Sequence, residues 1–291
     1  MDGIIIINKE QGYTSNDVVQ IIKKKYNEKV GHTGTLDPMA TGVLPVLIGK
    51  GTLLSKYLIN HDKIYVATLK LGIKTDTGDI TGDVIQEENV DEKCLEEENI
   101  RKVLEEIKGE QEQVPPMYSA IKVNGKKLYE YARKGLSIEM SPRKINIYST
   151  EVLNIDKENK EIRFRVSCSK GTYIRTLCES IAEKLETVGT MSSLNREKVG
   201  NFEISEAIKL GEIKDNFSED KLISIEKFFQ DKDEILLSPR SFVAFINGVK
   251  LMADNVDGVY RIYNSNKEFV GIGTVKNGIL KRDIVIWKIF W

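Results

Sequence analysis

Residues 31–45, Gly31-His32-Thr33-Gly34-Thr35-Leu36-Asp37-Pro38-Met39-Ala40-Thr41-Gly42-Val43-Leu44-Pro45, crowd three Gly and two Pro into a chain that has only 6 Pro. Gly allows backbone to approach a ligand closely, and such a loop can fix a few side chains in place. The carboxylate it would present is Asp37. Standing before Pro38, Asp37 reads from local sequence as either a turn-stabilising group or a catalytic one, and spacing leaves both open. Alone, His32 is a turn residue of a Gly-rich loop, Tyr65 a strand-core residue and Arg175 a surface arginine.

Cofactor chemistry finds little support. A phosphate-cradling loop needs G-x-x-x-x-G-K-[ST], and Gly49-Lys50-Gly51-Thr52 fails because Leu44 stands five positions before Gly49. Gly271-Ile272-Gly273 runs on to Lys276 where a dinucleotide fingerprint needs another Gly. Cys94, Cys168 and Cys178 are odd in number and form no CxxC pair, so neither a disulfide framework nor a zinc knuckle is expected. His32 and His61 fit no metal-ligand spacing. The expectation is a reaction with no cofactor and no metal.

The elements that must hold this loop mix helix and strand without regular alternation. Of 291 residues, 41% are hydrophobic and 30% charged, as in an ordinary globular protein. Asn16–Ile22 reads as the start of an amphipathic helix capped by Ser15. Lys63–Gly72 reads as a largely buried strand. Ile100, Val103, Leu104 and Ile107 recur at helical spacing before Gly109. Asn124-Gly125 marks a tight turn after Ser119–Val123, and a short helix spans Leu128–Lys134. Ile162, Phe164, Val166 and Cys168 alternate as in a half-buried strand. Ile174, Leu177, Cys178, Ile181, Ala182 and Leu185 follow the clearest helical period of all. The fold class is therefore α+β around a mixed or antiparallel sheet. Past an acidic-basic connector near Gln230–Glu234, the runs Val259–Tyr263, Phe269–Val275 and Ile284–Ile289 read as a small all-β barrel. The expected division is 1–234 and 235–291.

Net charge is −1 but unevenly distributed. Residues 85–112 hold 11 acidic and 4 basic side chains, whereas 117–147 hold 7 basic and 2 acidic. The second segment (Lys122, Lys126, Lys127, Arg133, Lys134, Arg143, Lys144) forms either a solvated hairpin or a basic face that tracks phosphates.

Residues 31–45 resemble the signature of the TruB family of tRNA pseudouridine-55 synthases, whose catalytic aspartate sits in a G-x-L-D-P loop. Family-like blocks follow in order: Gly3–Ser15, Lys63–Gly82 (Lys63-x-Tyr65 and Thr75-x-Thr77-Gly78-Asp79), Gln113–Gly135, Cys168–Leu177 and Leu194–Phe202. The C-terminal strands resemble the PUA domain that the family often carries.

The resemblance implies cofactor-free isomerisation of a uridine in the tRNA T-loop: the N1–C1′ bond breaks, the uracil turns and rejoins through C5. It makes Asp37 the catalytic carboxylate and Arg175 the guanidinium that keeps it ionised. Tyr65 becomes a stacking partner for the base and a candidate base for sugar-proton removal. Tyr173 and Leu194 would line the uracil pocket, and Lys9 would stand near the active site as a structural lysine. A base folded inside the T-loop must first be extruded, and His32 is assigned to the vacated space.

Two positions depart from the family pattern. Glu10 replaces a usual Pro, and Leu194-Asn195-Arg196-Glu197-Lys198-Val199-Gly200 replaces the more basic L-R-R-T-R-x-G, so weaker phosphate contact is expected there. Two other readings stay open. One is an RNA chaperone that opens and refolds the tRNA elbow. The other is a guide-RNA-dependent relative, against which the short stretch before Gly3 argues. With no basic leader and no apolar run of membrane-spanning length, a cytoplasmic monomer acting on tRNA without a protein partner is expected.

Overall fold

Ile4, Ile5, Ile6 and Ile7 are each at most 3 % exposed, and alternate members of the run enter two different cores. A strand apolar on both faces must lie inside a sheet covered on both sides. In the computed structural model, which describes residues 1–215 and 217–287, the run forms the strand Gly3–Lys9 of an 11-stranded sheet. Along its main path the order is Ile208–Lys209, Gly3–Lys9, Thr41–Ile48, Gly189–Val199, Lys63–Leu71, Glu161–Cys168, Arg143–Asp156, Gly109–Gln113. Gly189–Val199 pairs parallel with Thr41–Ile48 and Ile208–Lys209 parallel with Gly3–Lys9, while the other neighbours run antiparallel. The sheet is mixed, as the irregular alternation of elements predicts.

Three helices cover one face. Ile174–Lys184 buries Ile174, Leu177, Cys178, Ile181 and Ala182, the periodic positions read from sequence. Glu97–Glu106 buries Ile100, Val103 and Leu104. Ser15–Tyr26 buries Val18, Val19 and Ile22, but its cap is Thr14, not Ser15. Thr14 and Asp17 form a reciprocal box, the hydroxyl accepting the Asp17 N–H at 3.0 Å and the carboxylate accepting the Thr14 N–H at 2.8 Å. Asp17 three residues on selects Thr14 as the cap, which frees the Ser15 hydroxyl for another task.

Between Gln113 and Arg143 the chain leaves the sheet. Lys122–Val123 and Lys126–Lys127 pair about Asn124 (φ 50°) and Gly125 (φ 81°), the double left-handed turn that Asn-Gly favours. Helix Leu128–Ala132 follows. Lys122, Lys126, Arg133, Lys134, Arg143 and Lys144 are all exposed.

The C-terminal strands form a second sheet of five, ordered Glu234–Leu236, Gly258–Tyr263, Phe269–Lys276, Ile279–Val285, Leu251–Met252. The expectation of an all-β barrel needs two corrections. Helix Pro239–Ile246, capped by Ser238, belongs to this unit, and among the described residues the outer strands are not paired with each other. Of the run expected over Ile284–Ile289, Ile284 and Val285 end a strand that starts at Ile279, directly after the Asn277-Gly278 turn, and Ile286 and Trp287 lie past it. Residues 288–291 lie outside the described residues. Ile272 and Ile284 of this sheet share a core with Ile4, Ile6, Val43 and Leu47, so it closes the second face of the large sheet. Lys50 Nζ donates to the Ile286 carbonyl at 2.7 Å, and Lys56 and Tyr57 both reach Asp283. Among the described residues no helix is long and apolar enough to cross a membrane.

Candidate active site

The loop that carries Asp37 is fastened from several directions. Leu36, Met39 and Ala40 on either side of Asp37 are buried in the helix-covered core. The Ser15 hydroxyl donates to the Leu36 carbonyl at 3.1 Å and accepts the Leu36 N–H at 2.8 Å. Pro38 offers its carbonyl to the Gly12 N–H at 2.9 Å and to Lys9 Nζ at 3.3 Å. Lys9 is fully buried and also donates to the carbonyls of Glu10 at 3.0 Å and Tyr13 at 2.6 Å. Gly42, at φ +106°, lies so close to the next strand that a Cβ would sit 2.3 Å from the Arg196 carbonyl oxygen. At that position only Gly fits.

Arg175 stands in the first turn of helix Ile174–Lys184 and reaches Asp37 through two nitrogens, Nε to Oδ2 at 3.0 Å and Nη2 to Oδ1 at 3.4 Å. Nη1 donates to the Thr77 carbonyl at 2.9 Å and Nη2 to that of Tyr118 at 2.7 Å. Asp79 Oδ2 lies 4.0 Å from Nε. The guanidinium side chain is 5 % exposed and the Asp37 carboxylate 32 %, so the carboxylate is the more open to the cleft and the guanidinium is largely buried beside it. The start of the helix is itself held: the buried Gln113 amide donates to the Tyr173 carbonyl at 3.0 Å and accepts the Tyr173 N–H at 2.8 Å.

These groups open onto a cleft of about 610 Å3 that Asp37, Tyr65, Tyr173, Arg175 and Leu194 all line. His32 and Lys9 do not line it. His32 ends the short strand Val30–His32 beside the lining residue Thr33, and its Nδ1 accepts the Gly34 N–H at 3.4 Å. Lys9 lies behind the loop, on carbonyls.

Electrostatics revise one expectation. Arg175 and Lys9 favour the ionised form of Asp37, as the sequence reading has it, but burial outweighs them and nearby Asp79 adds to burial. The Asp37 pKa is therefore raised above the ordinary carboxylate value. Burial also raises the Tyr65 phenol, with the Arg196 guanidinium opposing, so Tyr65 stays protonated at neutral pH. A protonated phenol stacks and donates well but accepts a proton poorly. Burial lowers His32, helped by Arg196 and Lys127, leaving a neutral ring.

Several lining or supporting residues escaped sequence reasoning. Asp79 lies in a block already noted, yet nothing local marks it as a neighbour of Arg175. Arg196, expected at an RNA-facing stretch, is 1 % exposed; its Nε donates to the Val43 carbonyl at 2.7 Å and its Nη2 to that of Gly34 at 3.0 Å. Glu197, the added acid of the same stretch, pairs with Arg165 at 2.9 Å, so its charge is met within the protein. Among the described residues no three His, Cys, Asp or Glu gather in a way that could hold a metal ion.

The family model described as "TruB family pseudouridylate synthase (N terminal domain)" matches residues 21–174, and "tRNA pseudouridylate synthase B C-terminal domain" matches 175–236. The chain is 44% identical over 284 residues to "tRNA pseudouridine synthase B" of Clostridium kluyveri, covering 95% of this chain and 96% of that protein. It is also 44% identical over 285 residues to the protein of that name from Francisella philomiragia, covering 96% of this chain and 93% of that one. Among solved structures, "Crystal Structure of a Cbf5-Nop10-Gar1 Complex" superposes with a TM-score of 0.66 at 29% identity, covering 94% of this chain and 78% of that one.

Proposed function

The chain belongs to the TruB family of pseudouridylate synthases, and from that premise we propose that it isomerises uridine 55 in the T-loop of tRNA to pseudouridine. The observation that carries the reading is the Asp37 carboxylate, gripped twice by Arg175 and open to a cleft whose walls include two tyrosines. A flipped uridine fits such a site: Tyr65 and Tyr173 offer faces for the uracil, Leu194 an apolar wall, and Asp37 reaches the sugar.

In the proposed reaction the C1′–N1 bond breaks with its electron pair leaving on uracil. Asp37 either takes C1′ as an ester or removes the C2′ proton. The uracil turns and C5 bonds to C1′ as the ester C1′–O bond breaks in the first route, or as C2′ takes its proton back from Asp37 in the second, and the C5 proton then leaves. Because burial keeps Tyr65 protonated, the proton acceptor of the second route is Asp37 rather than the phenol. Tyr65 stacks on the base, His32 takes the space that the base vacates, and Lys9 supports the loop. No atom balance in this scheme calls for an added cofactor.

The C-terminal sheet is read as a PUA-like RNA contact and residues 1–234 as the catalytic part, a division supported by the separate strand order of the small sheet. The exposed lysines and arginines between Lys122 and Lys144 supply charge for the RNA backbone. A cytoplasmic monomer with tRNA as its partner completes the reading.

Incubating purified protein with a tRNA transcript and mapping pseudouridine by chemical derivatisation tests it. Modification confined to position 55 is expected; an unmodified position 55 under conditions of full binding overturns it.

A further inference from the structure

The cleft has two electrostatically unlike walls. On one, Arg175 answers Asp37 and Asp79. The other holds Lys63 and Arg196, 9 % and 1 % exposed, and no carboxylate lies within ion-pair distance of either among the described residues. The Lys63 ammonium donates to the His61 carbonyl, and Arg196 donates to the carbonyls of Val43 and Gly34. Thr33 stands beside Gly34 on the same wall; it is 5 % exposed and its hydroxyl has no hydrogen-bond partner. All three residues line the cleft.

The strands explain the grouping. Lys63 and Tyr65 are two apart on one strand, and Leu194 and Arg196 two apart on its neighbour, with Arg196 opposite Tyr65. Side chains at i and i+2 share a face, so the register delivers both cations to the side where Tyr65 and Leu194 meet the cleft. Removing two cations from water costs several kcal/mol unless something negative meets them. A neutral donor could bond the same carbonyls without that cost. Two cations and an unpartnered hydroxyl on the lining of one cleft, with no carboxylate paired to them, suit a charged group with several acceptor oxygens.

We propose that Thr33, Lys63 and Arg196 form a subsite for one phosphodiester group flanking the flipped uridine, an assignment that rests on the tRNA-modifying reading above. The sugar then faces Asp37 while its phosphate lies on the opposite wall. Lys170, whose Nζ donates to Asn60 Oδ1 at 2.6 Å at the rim, continues the cationic path outward.

The test uses a T-arm stem-loop RNA carrying one neutral methylphosphonate, placed 5′ or 3′ of the target uridine, beside the unmodified RNA. Wild type should bind one of the two modified RNAs about tenfold more weakly, the effect of losing a charge-assisted contact. Lys63→Met should weaken binding of unmodified RNA about tenfold and lower the log–log salt slope by about 0.7. In that variant the methylphosphonate should cost no more than about twofold, because partner and charge form one interaction. Thr33→Val should show the same loss of discrimination with a smaller effect. Lys63→Met removes an unpaired buried charge, so its melting temperature should equal or exceed wild type, which separates lost binding from lost fold.

The subsite is overturned if wild type tolerates a methylphosphonate at both linkages. It is also overturned if the penalty persists in full in Lys63→Met and Thr33→Val, or if these variants lower kcat with no change in Kd. Conversion of the unmodified stem-loop by wild type keeps the two proposals apart: its failure overturns the functional reading, and the subsite with it.

Discussion

Ser15 and Leu36 exchange two hydrogen bonds through one buried hydroxyl, 3.1 Å to the carbonyl and 2.8 Å from the N–H. The residue just before Asp37 is thereby fixed to the first turn of a helix that itself packs on the sheet. Ser15→Ala leaves the Leu36 backbone unmatched inside the protein, at a cost of about 1–3 kcal/mol. Denaturant titration should register that loss. Turnover should fall several-fold, with a smaller loss of RNA affinity, since Leu36 adjoins Asp37 and the same loop carries Thr33 and the Gly34 carbonyl that Arg196 bonds.

Asp37→Asn preserves shape and removes charge. Pseudouridine formation should disappear from derivatisation maps, whereas tRNA affinity by filter binding should stay within about threefold, because phosphate contacts dominate affinity. Measurable turnover by this variant would exclude Asp37 from the chemistry. Restoration of cellular growth by the same inactive variant would make tRNA refolding the more important task.

Arg175→Met strands Asp37 and leaves Asp79 without its nearest guanidinium. Breaking a fully buried pair costs roughly 3–5 kcal/mol; with the Asp37 side chain 32 % exposed, about 2–3 kcal/mol is the appropriate expectation. Arg175→Lys keeps the charge but cannot span two carboxylate oxygens and two carbonyls together. Its stability should recover in part, and its activity should remain at least about a hundredfold down.

The acid limb of the kcat/KM profile should lie above the ordinary carboxylate range, because burial and then Asp79 raise Asp37 against the pull of Arg175 and Lys9. Activity needs the ionised form, so it is lost as pH falls through that raised value. Stability runs the other way: the folded state holds this proton more tightly than the unfolded one, so Asp37 favours folding less as pH rises through the window. An acid limb at or below the usual carboxylate value would contradict the burial.

Lys63 titrates at about 8 because burial lowers it, with Arg196 and Lys170 adding and Cys168 and Asp62 opposing. RNA affinity should therefore decline as pH rises through about 8, where an exposed lysine would keep its proton to about 10.4. Lys63→Met should flatten that decline. For folding the sign is opposite: between the two values the unfolded chain binds the proton that the folded one has lost, so Lys63 contributes a gain in stability with rising pH.

Elements whose signals are local were legible in the sequence. The helix from Ile174 declares itself by the period of its buried residues, and Asn124-Gly125 by its turn chemistry. The helix start at Thr14 was missed by one residue because two adjacent hydroxyls both qualify, and Asp17 chooses between them. The short helix Pro239–Ile246 was hidden by the strands around it. What could not be read was pairing across distance. Arg196 bonds the Val43 carbonyl from 153 residues away and Gln113 bonds Tyr173 from 60 away, so neither partnership leaves a trace in spacing. Resemblance brought Asp37, Tyr65 and Arg175 together in advance, but it could not indicate that burial would win over the guanidinium.

The back of the Gly3–Lys9 strand is completed in part by Ile272 and Ile284, side chains far away in sequence that belong to the second sheet. Without that sheet Ile4 and Ile6 keep the cover of Leu54, Leu58, Val199, Phe202, Ile225 and Phe229 but lose that of Ile272 and Ile284, which leaves an apolar gap on this face. Truncation before the second sheet should therefore yield a sticky, chaperone-dependent fragment, with recovery in the soluble fraction as the readout.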